Sequence, residues 1–313
     1  MRVLIIGGTG YIGSYLVHKF DQDERIEEIY VMSRRYKDFL RTYKDKVSYV
    51  GQDISDLKGL REKLAKIKPD IILHLAAVAK GGHMQLIETN VVGTIHVLEV
   101  AREMPIRLLV FASTAANLYG NAIYKPIDEK HPLNPISPYG LSKQMAEDAV
   151  RFYARRYDVP AVIFRQTNVY GWAPVMKRTL INAFIESALK DGVLRIFGTG
   201  KQQRNFLYID DLAKYYEAII FHDSPEELKG EIFNVAGPQT ATVLDVAKIV
   251  KEISEQELAL KVKIRWEDSE KDKRFEVYNF PISYEKAREI LGVEPRVDLR
   301  TGIRIELKRR TRK

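Results

Sequence analysis

The sequence predicts a doubly wound α/β protein, in which helices cover both faces of a parallel β-sheet. Short apolar segments rich in β-branched residues alternate with amphipathic segments of helical period through the first half of the chain. The apolar segments are continuous, as expected of strands that are buried on both faces. A glycine-rich turn directly follows the first segment and opens the first helical one. Together these observations predict helices on both sides of one sheet.

The elements of the first half follow in a regular order. Strands are expected at residues 3–6, 29–32, 47–50, 71–75, 108–113 and 161–165. Helices are expected at residues 10–20, 56–67, 85–103 and 138–157. Right-handed crossovers between consecutive parallel strands then place these helices on the two faces of the sheet.

The pattern is less regular after about residue 170. Helices are expected at residues 178–189, 209–221, 243–253 and 283–291, a strand at 232–235, and a Gly-rich strand or turn at 195–201. We expect residues 1–170 and 206–236 to form the sheet domain. Residues 171–205 and 237–313 are expected to form a smaller, discontinuous α/β domain.

Composition excludes several functional classes. The chain of 313 residues has no cysteine, and its six histidines lack a metal-binding spacing, so neither a disulfide framework nor a metal site is expected. Five of the last six residues are basic and supply most of the net charge of +8: Lys308, Arg309, Arg310, Arg312 and Lys313. We expect a solvated, frayed tail rather than a nucleic-acid-binding arm. Without an apolar span or a visible signal peptide, the protein is expected to be cytoplasmic and to make no membrane contact.

The Gly-rich turn has the spacing of a dinucleotide-binding loop, Gly7-Gly8-Thr9-Gly10-Tyr11-Ile12-Gly13. Gly7 permits a tight turn, Gly10 lets the backbone approach a pyrophosphate, and Gly13 lets helix and strand pack closely. The helix N-terminus offers free N–H groups to phosphates. The turn therefore predicts NAD or NADP on a Rossmann-type sheet, with Tyr11 and Ile12 also in the cofactor site.

The end of the second strand bears on the choice between the two cofactors. An NAD site usually has an acid there for the ribose 2′-hydroxyl, whereas this chain has Ser33, Arg34 and Arg35. A hydroxyl and guanidinium groups suit a 2′-phosphate, so NADP is favoured. The alternative is that both arginines are solvated loop residues.

A carboxylate follows the third strand. Asp53 can accept from the adenine amine and Ile54 can pack on the ring. Alternatively Asp53 caps the next helix, although Ser55 or Asp56 would do so better.

Tyr139 and Lys143 are four residues apart, on one face of a predicted helix. A phenol is a poor base at neutral pH, but a nearby ammonium and an oxidised nicotinamide favour the phenolate. Ser113 and Thr114 end the fifth strand, where ligands bind in open α/β sheets, and a hydroxyl there can contact the same substrate oxygen. We therefore expect Thr114, Tyr139 and Lys143 to be catalytic.

The chain resembles the extended short-chain dehydrogenases/reductases of the NAD-dependent epimerase/dehydratase family, in particular those like UDP-glucose 4-epimerase. The resemblance rests on motifs that occur in the family's order. They are the Gly-rich turn, Asp53-Ile54, His74-Leu75-Ala76-Ala77, Asn90-Val91-Val92-Gly93-Thr94, Ser113-Thr114-Ala115, Ser137 to Lys143, Arg165 to Gly171, Arg204 to Asp211, Ala287 to Gly292 and Thr301-Gly302.

The resemblance implies further roles. Lys143 also binds the nicotinamide ribose, and Leu75, Ala76, Ala77 and Asn90 belong to the cofactor site. Ser113 and Thr114 contact the substrate, and Asn168 and Arg204 hold the diphosphate of a sugar nucleotide, unless they are a loop-capping amide and a surface arginine. Arg274 loosely matches a second diphosphate-binding arginine. A homodimer that pairs through residues 85–103 and 138–157 is expected.

Two departures from the family pattern affect the expected reaction. Sugar-nucleotide 4,6-dehydratases carry an Asp-Glu pair after the active-site Thr, where this chain has Ala115-Ala116 and an extra residue before Leu118. Dehydration therefore lacks its acid and base. Asn205 replaces the usual Asp after Arg204, which makes the sugar-nucleotide assignment less secure than the redox chemistry.

The leading hypothesis is a nucleotide-sugar 4-epimerase of the UDP-galactose/UDP-glucose type. It works by transient hydride transfer to a bound nicotinamide cofactor through a 4-keto intermediate. The alternative is an NADP-dependent reductase of a keto-sugar nucleotide or another carbonyl compound, with the same triad. A third hypothesis, a non-catalytic sensor or nucleic-acid-binding protein that uses the basic tail, is disfavoured by the intact triad.

Overall fold

The structure, a computed structural model, describes residues 1–268 and 276–311. Its strands are β1 (Arg2–Ile6), β2 (Glu28–Ser33), β3 (Val47–Gly51), β4 (Ile71–His74), β5 (Leu108–Thr114), β6 (Ala161–Gln166), β7 (Asn168–Tyr170), β8 (Val193–Phe197), β9 (Gln203–Tyr208), β10 (Ile232–Val235), β11 (Gln239–Thr242) and β12 (Lys263–Glu267). Seven of them form one parallel sheet in the order β10-β6-β5-β4-β1-β2-β3. The predicted doubly wound sheet is thereby confirmed.

The strand order reverses between β1 and β4. The chain builds the sheet outward from β1 through β2 to β3, returns to the other side of β1 with β4, and continues through β5 and β6. Every residue of β4 and β6 is buried, as their continuous apolar sequence predicts. The crevice beyond the carboxyl ends of β1 and β4 is where ligands bind in sheets of this type.

Helices cover both faces of this sheet. They are α1 (Tyr11–Asp21), α2 (Leu57–Ile67), α3 (His83–Ile87), α4 (Gly93–Ala101), α5 (Ala116–Tyr119), α6 (Pro138–Tyr157), α7 (Leu180–Lys190), α8 (Ile209–Ile220), α9 (Val243–Leu258), α10 (Glu285–Leu291) and α11 (Leu299–Thr311). Short 3₁₀ turns lie at Asp38–Thr42 and Pro225–Leu228. Among the described residues, no helix has the length and apolarity needed to cross a membrane.

The single helix predicted over residues 85–103 is wrong in detail. A π-helical turn, Glu88–Val92, separates α3 from α4. Asn90 lies in this turn, and its side chain bonds both the N–H and the carbonyl of Val78, in the loop after β4. Single π turns of this kind are frequent near functional sites.

Two smaller sheets lie beside the main one. In the first, β9 pairs in parallel with β7 and antiparallel with β11, and in the second β8 pairs in parallel with β12. Asn168 at the start of β7 and Arg204 on β9 thereby lie close in the fold, since Asn168 is registered with Phe206. The predicted domain boundary falls inside β9, and the division into two domains stays a prediction.

The prediction of a frayed basic tail is wrong for residues 308–311, which end α11. Leu299, Ile303 and Leu307 recur every four residues and are buried against α7 and α9. On the outer side of α11, Arg304 pairs with Glu257 of α9 at 2.6 Å and Lys308 pairs with the same carboxylate at 3.3 Å. The apolar stripe is short and diluted by charged residues, which is why the sequence reads as solvated.

Candidate active site

The Gly-rich turn is shaped by backbone contacts that leave no room for side chains. Gly7 has a φ of +84°, and a Cβ at this position would lie 2.7 Å from the backbone nitrogen of Ala76. A Cβ on Gly13 would lie 2.6 Å from the carbonyl oxygen of Gly7, so this glycine is needed for close packing of α1. Gly10 is the N-cap of α1 and supplies no capping side chain. The first N–H groups of α1 therefore remain available to a ligand.

An inner cavity of about 490 Å³ lies between this turn and the ends of β2, β3 and β4. Ten of the residues predicted to bind cofactor line it: Gly7, Gly10, Ser33, Arg34, Arg35, Asp53, Ile54, Leu75, Ala76 and Ala77. Thr9, Lys37, Gln52 and Thr89 line it as well and were not predicted. Lys37 adds a third cationic side chain to the end of β2, only two residues beyond Arg35.

Some polar side chains of the inner cavity already contact other residues of the protein. Arg34 Nη1 lies 3.9 Å from Asp53 Oδ2, which is a loose ion pair, and Arg34 is exposed. Ser33 Oγ donates to the carbonyl of Arg35 at 2.9 Å. Asp56, and not Asp53, is the N-cap of α2. Capping of α2 therefore does not need the Asp53 side chain.

Tyr139 and Lys143 lie in the first turns of α6, as predicted. The helix begins here because Ser137 accepts a hydrogen bond from the Gly140 N–H at 3.0 Å and Pro138 occupies the first turn. Lys143 is 1% exposed, and its Nζ lies 3.8 Å from the ring centroid of Phe111 on β5. Tyr139 lines both the outer and the central cavity described below, whereas Lys143 lines neither of these nor the inner cavity.

Burial shifts the pKa of both groups. It raises the pKa of the Tyr139 phenol to about 12. Burial lowers the pKa of the Lys143 ammonium to about 7, and the Glu147 carboxylate partly opposes that change. The expected lowering of the phenol pKa by Lys143 is not seen in the protein alone, where desolvation is the cause of the shift.

Asn90, which is predicted to belong to the cofactor site, lies buried in the π-helical turn before α4. It is 1% exposed and lines none of the three cavities described here. Its Nδ2 donates to Ser142 Oγ at 2.9 Å, and Ser142 Oγ donates to the carbonyl of Tyr139 at 2.8 Å. Asn90 therefore ties the loop after β4 to the turn of α6 that carries Tyr139.

An outer cavity of about 590 Å³ joins the predicted catalytic and substrate residues. Ser113, Thr114, Tyr139, Asn168 and Arg204 all line it. Ser113 is buried, and its Oγ has no hydrogen-bond partner among residues 1–268 and 276–311. Arg274, the remaining predicted substrate residue, lies outside the described residues.

A central cavity of about 220 Å³ connects these two regions. It shares Gly7 and Gly10 with the inner cavity, and Ser113, Tyr139 and Lys177 with the outer one. An elongated ligand can thus extend from the end of β2, along the N-terminus of α1, to Tyr139. The orphaned Ser113 hydroxyl and the open glycine turn fit a dinucleotide whose reactive end lies beside Tyr139.

The described charged side chains that line the outer cavity are all of one sign. Within the described part of the chain its lining contains the cationic side chains Lys80, Lys177 and Arg204 and no carboxylate. Burial lowers the pKa of Arg204, with the nearby Glu276 carboxylate acting in the opposite direction. A cavity of this charge favours an anionic ligand.

The departures noted in the sequence have structural explanations. Asn205 is 2% exposed; its Nδ2 donates to the Gly237 carbonyl at 2.9 Å and its Oδ1 accepts from the Gly237 N–H at 2.8 Å. An Asp could not donate, so the amide suits this position. The extra residue lies in or near α5, where the Asn117 Oδ1 accepts from the Ser137 hydroxyl at 2.9 Å.

Several lining residues of the outer cavity were missed by sequence reasoning, among them Asn117, Gln166, Thr167, Lys177 and Phe206. Gln166 and Thr167 directly precede the Asn168 motif, and Phe206 follows Arg204, so proximity in sequence could have indicated them. Lys177 carries no such signal, because its place depends on the loop before α7.

Comparisons with known proteins agree with this geometry. A family model described as the NAD dependent epimerase/dehydratase family matches residues 3–236. A protein of Methanocaldococcus jannaschii with the provisional name UDP-glucose 4-epimerase is 33% identical over 309 residues, which is 96% of each chain. The structure of UDP-glucose 4-epimerase from Thermotoga maritima, solved with UDP-glucose, is similar with a TM-score of 0.86 at 25% identity, over 100% of both chains.

A further similar structure contains a nicotinamide cofactor. It is a mutant UDP-glucuronic acid 4-epimerase from Bacillus cereus in complex with UDP-4-deoxy-4-fluoro-glucuronic acid and NAD, with a TM-score of 0.86 at 25% identity over 98% of each chain. The chain belongs to the NAD-dependent epimerase/dehydratase family of extended short-chain dehydrogenases/reductases. It is therefore an enzyme of that family.

Proposed function

We propose that this enzyme is a nucleotide-sugar 4-epimerase of the UDP-galactose/UDP-glucose type. The observation that carries the proposal is the outer cavity, in which Thr114 and Tyr139 lie with Asn168 and Arg204. The hydroxyl groups needed for the redox step and a guanidinium suited to phosphate thus line the same cavity. Similarity to the Thermotoga maritima enzyme and its bound UDP-glucose supports this substrate class.

Each side chain has a definite task in such a reaction. The Tyr139 phenolate takes the proton of the C4 hydroxyl and later returns it, while Thr114 hydrogen-bonds the same oxygen. The Lys143 ammonium, four residues further along α6, favours the phenolate once the cofactor is bound. When bound, the nicotinamide accepts and returns the hydride, so it is regenerated in every turnover.

The outer cavity also favours epimerisation over dehydration within the family. The described lining has no carboxylate, so it lacks the Asp-Glu acid and base that 4,6-dehydratases use on the hexose. The cations Arg204 and Lys177 favour tight binding of the diphosphate. The 4-keto hexose is expected to be held loosely beside Tyr139, so that it can present either face to the cofactor.

One reaction tests the proposal. Purified enzyme is incubated with UDP-galactose and a catalytic trace of NAD or NADP, and UDP-glucose is quantified by chromatography. The proposal predicts many turnovers per cofactor molecule. A lack of product, or product that never exceeds the added cofactor, would contradict it.

We also propose that NADP binds at least as well as NAD. Arg34, Arg35 and Lys37 line the inner cavity at the end of β2, where an NAD site would carry an acid. The same observation supports the second candidate function, an NADP-dependent reductase of a keto-sugar nucleotide or another carbonyl compound. In that reaction Tyr139 acts as the acid.

Binding measurements test the cofactor proposal independently of turnover. Arg34→Ala should weaken binding of NADP by about ten-fold or more and change NAD binding little, since only NADP carries a phosphate for this guanidinium. Arg41→Ala is the matched control, because Arg41 pairs with Asp38 at the surface and does not line the cavity. Equal losses of affinity for NADP and NAD would contradict the proposal and would mean that Arg34 is a solvated loop residue.

We further propose a homodimer that pairs through α6 and the adjacent helical segment of residues 85–103. Leu141, Met145 and Phe152 recur on one face of α6 and are each more than 40% exposed. Met84, at the start of α3, is 68% exposed. An apolar face of this kind on a helix is typical of a subunit interface.

A further inference from the structure

The loop of residues 171–179, between β7 and α7, borders the active site. Its Lys177 lines both the central and the outer cavity, and its last residue, Thr179, accepts the capping hydrogen bond of α7. The loop is also attached to the Gly-rich helix: the Tyr11 hydroxyl donates to the Gly171 carbonyl at 2.7 Å and the Val175 N–H donates to Ser14 Oγ at 3.1 Å. The position of this loop therefore affects both ligand sites.

A single buried amide closes the loop. Asn182, in the first turn of α7, is 2% exposed. Its Nδ2 donates to the carbonyl of Gly171 at 3.4 Å and to that of Lys177 at 3.0 Å. These two contacts span the segment that carries Lys177 into the cavities.

The C-terminal helix holds that amide in place. Arg310 donates from Nη2 to Asn182 Oδ1 at 3.1 Å and from Nη1 to the Asn182 carbonyl at 3.3 Å. A guanidinium can only donate, so its contact requires the Asn182 oxygen to face α11 and the Asn182 nitrogen to face the loop. The Arg309 guanidinium lies 5.1 Å from the ring centroid of Trp172, which belongs to the same loop.

We propose that Arg310, with a smaller contribution from Arg309, is a positioning residue for the active site. It acts through Asn182 on the loop of residues 171–179 and so fixes Lys177 beside cofactor and substrate. Arg309 and Arg310 near the end of α11 thereby contribute to ligand binding within this protein. The identity of the substrate ligand in this inference rests on the proposed function.

The test compares two variants of the same helix. Arg310→Ala removes the contacts with Asn182, whereas Arg304→Ala removes an ion pair with Glu257 of α9 on the side away from the loop. We expect Arg310→Ala to speed amide hydrogen exchange in residues 171–179 and to weaken binding of UDP and NADPH by about five- to ten-fold. The kcat should fall much less than kcat/KM. Arg304→Ala should leave exchange in the loop and both affinities unchanged.

Conservative replacement separates positioning from folding. Arg310→Lys keeps a donor for one of the two Asn182 oxygens and should restore part of the exchange protection and of the affinity. Unchanged exchange and affinity in Arg310→Ala, or equal changes in Arg304→Ala, would overturn the inference. Failure of the wild type to bind UDP would instead count against the proposed function, because hydrogen exchange and NADPH binding still report on Arg310.

Discussion

Tyr139 and Lys143 carry the proposed chemistry, and their pKa values move in opposite directions on burial. Burial raises the pKa of the Tyr139 phenol to about 12 and lowers the pKa of the Lys143 ammonium to about 7. Without cofactor, both shifts therefore disfavour the charged pair, which is a Tyr139 phenolate beside a Lys143 ammonium. Bound cofactor, with its positive oxidised ring, is then needed to favour the phenolate. We therefore expect the base to form only in the cofactor-bound enzyme.

Removal of the phenol tests its role. Tyr139→Phe should lower kcat by about 10²–10⁴-fold, the usual contribution of a positioned acid or base. Cofactor affinity should stay within a few-fold, since the ring remains. Tyr157→Phe, at the exposed end of the same helix, is the control and should keep full activity. Substantial residual turnover in Tyr139→Phe would remove it as the acid/base.

Burial of Lys143 predicts a pH-dependent stability difference. Below about pH 7 Lys143 is charged while buried in the folded protein, which costs stability. Between pH 7 and 10.5 Lys143 keeps its proton only in the unfolded chain, so the free energy of unfolding rises with pH. Without cofactor, Lys143→Met should therefore be stabilised by about 2–4 kcal/mol at pH 6–7, an advantage that disappears towards pH 10.5. Denaturant unfolding at several pH values measures this.

The control for this experiment is Lys63→Met, which removes an exposed charge from α2. Its stability difference from the wild type should vary little over the same range. A pH-independent gain in Lys143→Met would mean that the lysine is neutral or solvated at all these pH values.

The residues that line the outer cavity were largely predictable from sequence motifs, but the burial and the pKa shifts of the site were not. Thr114, Tyr139, Asn168 and Arg204 were expected in one site, and all of them line the outer cavity. The direction of each pKa shift depends on burial, which no motif reveals. Lys177 reaches the cavity only because a loop folds back, so its role depends on tertiary structure.

At the scale of elements, the Gly-rich turn makes the most direct prediction. Gly7→Ala would introduce a Cβ at positive φ and 2.7 Å from the Ala76 nitrogen, so the turn must shift. We expect cofactor affinity to fall by more than about ten-fold and thermal stability to decrease. NADH and NADPH fluorescence titrations check the affinity.

Gly82→Ala is the matched control for the turn. Gly82 has a φ of −65° and no atom within 4 Å of an added Cβ. Its substitution should keep cofactor affinity within about two-fold. Wild-type affinity in Gly7→Ala would exclude the turn from the cofactor site.

Helices and strands with a regular apolar period were predictable, whereas helices whose apolar residues are interrupted by charged ones were not. The six strands of the first half and the helix 138–157 lie where the sequence places them. The π-helical turn around Asn90 changes only the hydrogen-bond register and leaves no mark on periodicity. Residues 308–311 were predicted to be part of a frayed tail, but they end α11, whose narrow apolar stripe is buried by packing against α7 and α9.

At the scale of the whole molecule, the proposed dimer is testable through its apolar face. The double variant Leu141→Lys, Phe152→Lys should change the mass in light scattering from that of two chains to that of one. Phe197→Lys is the control: Phe197 is 59% exposed on β8, away from this face, and should leave the mass unchanged. A monomeric wild type would contradict the proposal.

In the proposed reaction Tyr139 and a bound nicotinamide interconvert C4 epimers without exchange of carbon-bound hydrogen. The most direct measurement is conversion of UDP-galactose in D₂O by the purified enzyme with a trace of cofactor, followed by NMR and mass analysis of the UDP-glucose formed. We predict product with no deuterium on any sugar carbon, because the C4 hydrogen leaves and returns as hydride. Deuterium at C5 or C3, or no UDP-glucose at all, would contradict the claim.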